Sequence, residues 1–134
     1  MTVAVLDPGQ PPVPLAVGVD VIEVARVAAV MQRHPERFLS RHFTERERGE
    51  CANMPHRLAA RWAGKEAAAK ALGTGIGPVG WHEIEILCTS GGAPRLSLHG
   101  AAAERAAHLR LAAWSVSLSH TREHAMAVVA AVGA

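Results

Sequence analysis

The chain has 134 residues, 49% of them apolar, with two Phe, three Trp and no Tyr, which is enough to bury one aliphatic core without disulfides or metals. A formal charge of +2 is too mild for a nucleic-acid footprint, and no stretch approaches the roughly 20 apolar residues of a membrane helix. Cys51 and Cys88 share no CxxC spacing and read as two buried thiols; with no basic region ahead of an apolar core at the N-terminus, a cytoplasmic protein is expected.

Residues 1–14 contain Pro8, Pro11, Pro12 and Pro14 and are predicted to be an extended arm ahead of one domain over residues 15–134. Leu15, Val17 and Val19 alternate with Ala16 and Gly18 as a short strand with Asp20 at its end, and helical spacing follows from Val21 to Arg33 until Pro35 stops it. Asp20 is one of two aspartates against ten glutamates. It reads either as an N-cap, with Glu23 completing a capping box, or as a short carboxylate offering oxygen to a hard cation such as Mg²⁺. Arg26, Arg33 and Arg37, with Val30 and Met31 beside them, form a basic row on this first helix: a solvated face, or a docking stripe for an acidic partner helix. Thr44 and Glu47 form a capping box opening a short helix to about Asn53.

Pro55 suits the first turn of a long helix that runs to Leu72 and ends at Gly73. The only two lysines of the chain, Lys65 and Lys70, lie on it, and Glu66 stands four residues before Lys70. Arg57, Arg61 and Lys65 form a like-charged row, which favours an anionic neighbour, and Gly64 in mid-helix suggests close packing or ligand approach. Lys65, Glu66 and Lys70 read as a surface ion-pair ladder or as part of a site. Gly73-Thr74-Gly75-Ile76-Gly77 could present backbone N–H groups to a phosphate or be a plain helix-to-strand turn.

Trp81–Thr89 and Arg95–His99 are predicted to form a hairpin around a glycine turn, and Ala101–Leu109 a helix. Trp114, Val116, Leu118 and His120 alternate with three serines as a strand, and Ala125–Val132 is apolar enough to be a central strand. The order of elements predicts an α+β domain with a mainly antiparallel sheet packed against a long central helix. His120 and His124 flank a predicted turn, which argues against a zinc pair.

Three segments together, Gly18-Val19-Asp20, Trp62 to Gly75 (WAGKEAAAKALGTG) and Val116-Ser117-Leu118-Ser119-His120, resemble the holo-acyl-carrier-protein synthases, the small 4′-phosphopantetheinyl transferases, over residues 15 to 132. The resemblance implies transfer of the phosphopantetheine arm of coenzyme A to a serine of apo acyl carrier protein, with release of adenosine 3′,5′-bisphosphate, in lipid biosynthesis. It implies Asp20 and Glu66 as magnesium ligands and Glu66, Lys70 and His120 as catalytic residues. Lys65, Lys70 and His120 would lie near the coenzyme phosphates, and Gly73, Thr74, Gly75 and Ile76 would contact the coenzyme. Arg26, Val30, Met31, Arg33 and Arg37 would dock the carrier. A homotrimer with sites between subunits is implied as well, and neither nucleic acid nor membrane as a partner. A water held by Glu66 is the first candidate for general base and His120 the second. A non-catalytic coenzyme A or nucleotide-binding module is the alternative. Thr121 stands where several relatives have an acidic residue, and Gly64 where many have Ala.

Overall fold

In the computed structural model, which describes residues 13–133, five strands and five helices follow one another as β1 (Leu15–Glu23), α1 (Val24–Arg33), α2 (Pro35–His42), α3 (Glu45–Cys51), α4 (Pro55–Ala71), a 3₁₀ turn (Trp81–Glu83), β2 (Ile84–Cys88), β3 (Pro94–Leu98), α5 (Gly100–His108), β4 (Ala113–His120) and β5 (His124–Val132). The predicted arm lies outside these residues except for Val13 and Pro14. The strands form two antiparallel sheets, one of three strands in the order β1-β5-β4 and the β2-β3 hairpin. β5 is the middle strand, as its apolar run predicts: Ala125, Ala127, Val129 and Ala131 are fully buried under α4. No helix among the described residues is long and apolar enough to cross a membrane.

Several boundaries differ from the sequence reading: the strand predicted from Trp81 starts only at Ile84, after a 3₁₀ turn over Trp81–Glu83, and α2 occupies a stretch with no predicted element. β1 continues to Glu23, so Asp20 sits inside the strand opposite Ala127, and Glu23 is the N-cap of α1 with no side-chain cap bond. The capping reading of Asp20 is therefore wrong; alternation through Val21 and Ile22 extends the strand past the point where helical spacing was read. Pro35 opens α2 at its first turn instead of only closing α1, because the fixed φ and missing N–H of proline suit a helix start equally well. Arg37 consequently belongs to α2, not to the helix of Arg26 and Arg33. The Thr44–Glu47 capping box is present as predicted, although α3 ends at Cys51.

The sheet and α4 approach unusually closely at Gly18. A Cβ there would overlap the carbonyl oxygen of Ala67, so only glycine lets β1 lie against the helix backbone. At Gly64 the same test meets the side-chain tip of Ile86 on β2, so close packing, the first of the two reasons suggested for this glycine, is the one seen. Small residues along α4 (Ala59, Ala60, Ala63, Ala67, Ala68 and Ala71, all buried) thus let one helix serve both sheets. The opposite face of the three-stranded sheet is left bare, with Leu15 76%, Val17 68%, Val19 50% and Val21 56% exposed.

Candidate functional site

The close contact at Gly18 carries Asp20 to the C-terminal half of α4. Lys70 Nζ donates to Asp20 Oδ1 at 3.0 Å and to the Val19 carbonyl at 3.0 Å, joining residues fifty positions apart. The predicted Glu66–Lys70 pair is absent: Lys70 turns to the strand, where a carboxylate and a carbonyl converge. Glu66 is half-buried one turn earlier, and among the described residues Trp62 Nε1 donates to its Oε1 at 3.4 Å. Two carboxylates with spare oxygens beside an ammonium form a donor set that suits a small hard cation and phosphate oxygens. No group of three or more His, Cys, Asp or Glu gathers among the described residues, so a cation held by Asp20 and Glu66 would complete its shell with substrate or water oxygens.

Lys65 corrects a second expectation. It is fully buried, and its ammonium donates to Glu47 Oε1 at 2.7 Å and to the carbonyls of Ile84 at 2.7 Å and Trp81 at 2.8 Å. Three donors meet three acceptors, leaving none for a coenzyme phosphate. Burial pushes this ammonium below its ordinary range against the pull of Glu47. The anionic neighbour favoured by the basic row is therefore protein: Glu47 for Lys65, and Glu50 for the buried Arg61 at 3.0 Å. Glu47 Oε2 also takes the Ile86 N–H, Glu50 the Cys88 N–H, and Glu85 the Thr44 hydroxyl and Arg46, so α3 staples β2 to α4. Cys51 is buried as expected, but Cys88 is only half-buried and accepts from Arg61 Nη2 at 3.2 Å.

The glycine loop does bend as its composition predicts, with φ of +76° at Gly73, +65° at Gly75 and +140° at Gly77. Its amides do not form an open cradle. The N–H groups of Gly73, Thr74, Gly75 and Gly77 go to Lys70, Ala69, Ala69 and Val79 carbonyls, closing the end of α4. Gly75 and Gly77 have open space where a side chain would project, so a ligand can approach the backbone there. Arg105 from α5, which sequence reasoning missed, holds the Leu72 carbonyl at 3.0 Å at the base of this loop.

His120 ends β4 on the same sheet face as Asp20. It lies level with Ile22 across Ala125, two residues along and two strand spacings, about 10 Å, across from Asp20. Its ring stands 5.0 Å from that of His56 in the first turn of α4, a neighbour with no signal in the sequence. Ser115, Ser117 and Ser119 point to the opposite, exposed face, as predicted. On the outer helices Arg26, Arg33 and Arg37 are exposed, and Val30 and Met31 are half-buried against the core.

Residues 16–129 match the 4′-phosphopantetheinyl transferase superfamily. A holo-acyl-carrier-protein synthase of Herpetosiphon aurantiacus is 46% identical, covering 89% of this chain and 99% of its own. One from Solidesulfovibrio magneticus is 47% identical over 87% of this chain and 96% of its own. The crystal structure of the Helicobacter pylori holo-acyl-carrier-protein synthase in complex with coenzyme A superposes with a TM-score of 0.79 at 30% identity, covering 86% of this chain and 98% of that one.

Proposed function

The chain belongs to the 4′-phosphopantetheinyl transferase superfamily, and we propose on that premise that it is a holo-acyl-carrier-protein synthase, moving the phosphopantetheine arm of coenzyme A to a serine of an apo acyl carrier protein. The observation that carries this reading is the junction of Asp20, on β1, with Lys70, on α4, which the close approach at Gly18 allows, with Glu66 one helical turn before Lys70.

Asp20 and Glu66 would hold a magnesium ion, which when bound would supply positive charge to polarise the transferred phosphoryl group; attack of the carrier serine on that group releases adenosine 3′,5′-bisphosphate. Lys70, half-exposed at 3.0 Å from Asp20, fixes that carboxylate and offers its remaining donor to a phosphate oxygen. Glu66, lightly bonded, orients the water that takes the serine proton. His120 is the weaker base candidate, because within one chain it stands two strand spacings across and two residues along from Asp20, about 12 Å away. The loop Gly73, Thr74, Gly75 and Ile76 meets the coenzyme through its bare backbone surface.

Arg26, Arg33 and Arg37 are exposed and join in no ion pair among the described residues, so with Val30 and Met31 they suit an acidic carrier helix. Three copies of the chain assemble through the bare sheet face, since Leu15, Val17, Val19, Val21, Met126 and Val128 together form an apolar surface typical of an interface.

The test incubates apo carrier protein, coenzyme A and Mg²⁺ with the enzyme and follows carrier mass. The expected result is a gain of one phosphopantetheine, lost about 10²-fold or more in both Asp20→Ala and Glu66→Ala while the fold survives. Coenzyme A binding with no mass gain on any carrier would replace the transferase with a binding module.

A further inference from the structure

We propose that Trp62 is a positioning residue of the transfer site: its indole N–H holds one oxygen of the Glu66 carboxylate and leaves the other to the divalent cation. The proposal rests on the transferase reading above and gives a task to a residue for which the family resemblance implies none.

Trp62 and Glu66 stand four apart on α4, on one face of the helix, and Trp62 Nε1 donates to Glu66 Oε1 at 3.4 Å. The indole nitrogen has no choice of role, since it only donates. Nor is the ring free to swing away. Phe38 and His42 of α2 and Trp81 of the 3₁₀ turn surround it, with ring centroids 5.3, 5.1 and 5.7 Å from its own, and the Trp81 ring meets it edge-on at 88°. These rings, from two other elements, fix the direction in which the N–H points, and Glu66 is what it meets.

Glu66 needs such a partner. The cation that helical spacing offers it, Lys70, is taken by Asp20 at 3.0 Å, and Glu66 enters no ion pair among the described residues. Its flexible side chain would otherwise lose rotamer freedom only when a cation binds, at a cost to affinity. A donor on Oε1 removes part of that freedom beforehand and leaves Oε2 for the cation, as partners of metal-binding carboxylates do in general. The competing account is packing alone, with the N–H meeting Glu66 only because helical spacing puts the two together.

Two substitutions separate the accounts. Trp62→Phe keeps a ring in the cluster and removes the donor, whereas Trp81→Phe disturbs the same cluster and keeps it. In the full chain with coenzyme A present, free Mn²⁺ is counted by electron paramagnetic resonance, and carrier transfer gives the Mg²⁺ concentration at half-maximal rate and the KM for coenzyme A at saturating Mg²⁺. The expected result is Mn²⁺ binding weakened about tenfold in Trp62→Phe, with half-maximal Mg²⁺ raised by the same factor and the KM for coenzyme A nearly unchanged. Trp81→Phe should change none of them. In the wild type the three indole ¹H–¹⁵N signals are assigned by elimination with Trp81→Phe and Trp114→Phe. Mg²⁺ with coenzyme A should move the Trp62 signal and leave that of Trp114, whose N–H is on the Leu111 carbonyl at 3.1 Å.

Wild-type Mn²⁺ affinity in a folded Trp62→Phe, or equal weakening in Trp81→Phe, overturns the inference and leaves the transferase standing. A Trp62 indole signal that stays still on Mg²⁺ addition overturns it too, and needs no substitution at Trp62 that has to fold. Mn²⁺ binding that depends on Trp62, in a wild-type protein that modifies no carrier, would support the inference and overturn the transferase reading instead.

Discussion

Lys65→Met removes one half of a buried ion pair and provides a direct test of how this site is supported. In the folded protein Lys65 and Glu47 are both 0% exposed and 2.7 Å apart. Deleting the ammonium leaves the Glu47 carboxylate with only the Thr44 and Ile86 N–H groups, and leaves the Trp81 and Ile84 carbonyls without this donor. Removing one partner of a buried pair costs about 3–5 kcal/mol, a large part of the ~5–15 kcal/mol total stability of a domain. For a chain of this size that corresponds to a fall in Tm of about 10–20 °C. Urea unfolding at pH 7.5 should show it in the wild type, Lys65→Met, Glu47→Leu and the double variant. The double variant should lose less than the two singles added, by about 2–3 kcal/mol, because neither charge is then left buried alone. Below its transition, Lys65→Met should keep the wild-type KM for coenzyme A. A Lys65→Met protein within about 1 kcal/mol of wild type, or one of normal stability with a raised KM, would refute this account and return Lys65 to the coenzyme.

Two glycines at the contacts of α4 with the two sheets should respond differently. Gly18→Ala drives a methyl into the Ala67 backbone carbonyl and should cost about 3 kcal/mol or more with loss of transfer, whereas Gly64→Ala meets only the tip of Ile86 and gains helix propensity of about 1 kcal/mol, so its midpoint should barely move; urea titration of both checks this. Burial pushes the Cys51 thiol up to about 11, so a thiol reagent at pH 8 should label Cys88 alone in the native protein and both cysteines in urea, as counted by mass. Burial among Phe38, Phe43, Trp62 and Trp81 holds the His42 imidazole below its usual 6.5, with its Nδ1–H on the Phe38 carbonyl at 2.8 Å opposing the shift. The unfolded chain then binds more protons below pH 6.5, so stability is fully present above that value and falls as pH drops through the folded one. His42→Phe should flatten that part of a stability-versus-pH curve measured from pH 7 to 5.

Local signals were read well wherever the chain itself fixes the geometry. The Thr44–Glu47 box, Pro55 in a first turn, Gly73 past a helix end and the alternation of β4 and β5 each depend on residues within a few positions, and all are present. Asp20 and Arg37 were misplaced because strand alternation and helical spacing overlap through Val21–Glu23, and because Pro35 fits either side of a helix boundary.

The sequence by itself determined the order of the strands and of all the helices except α2, and through its three motifs the family to which the chain belongs. Only the tertiary structure decided the partner of each charge. Lys65 and Lys70 are five residues apart on one alanine-rich helix, and nothing local distinguishes their fates. One points between α3 and β2, where Glu47 and two carbonyls surround it out of water; the other reaches across Gly18 to Asp20 and stays half in solvent. Ion pairing acts through space and depends on desolvation, so it is set by which distant carboxylate the packing brings within 3 Å, information that spacing along the chain does not contain.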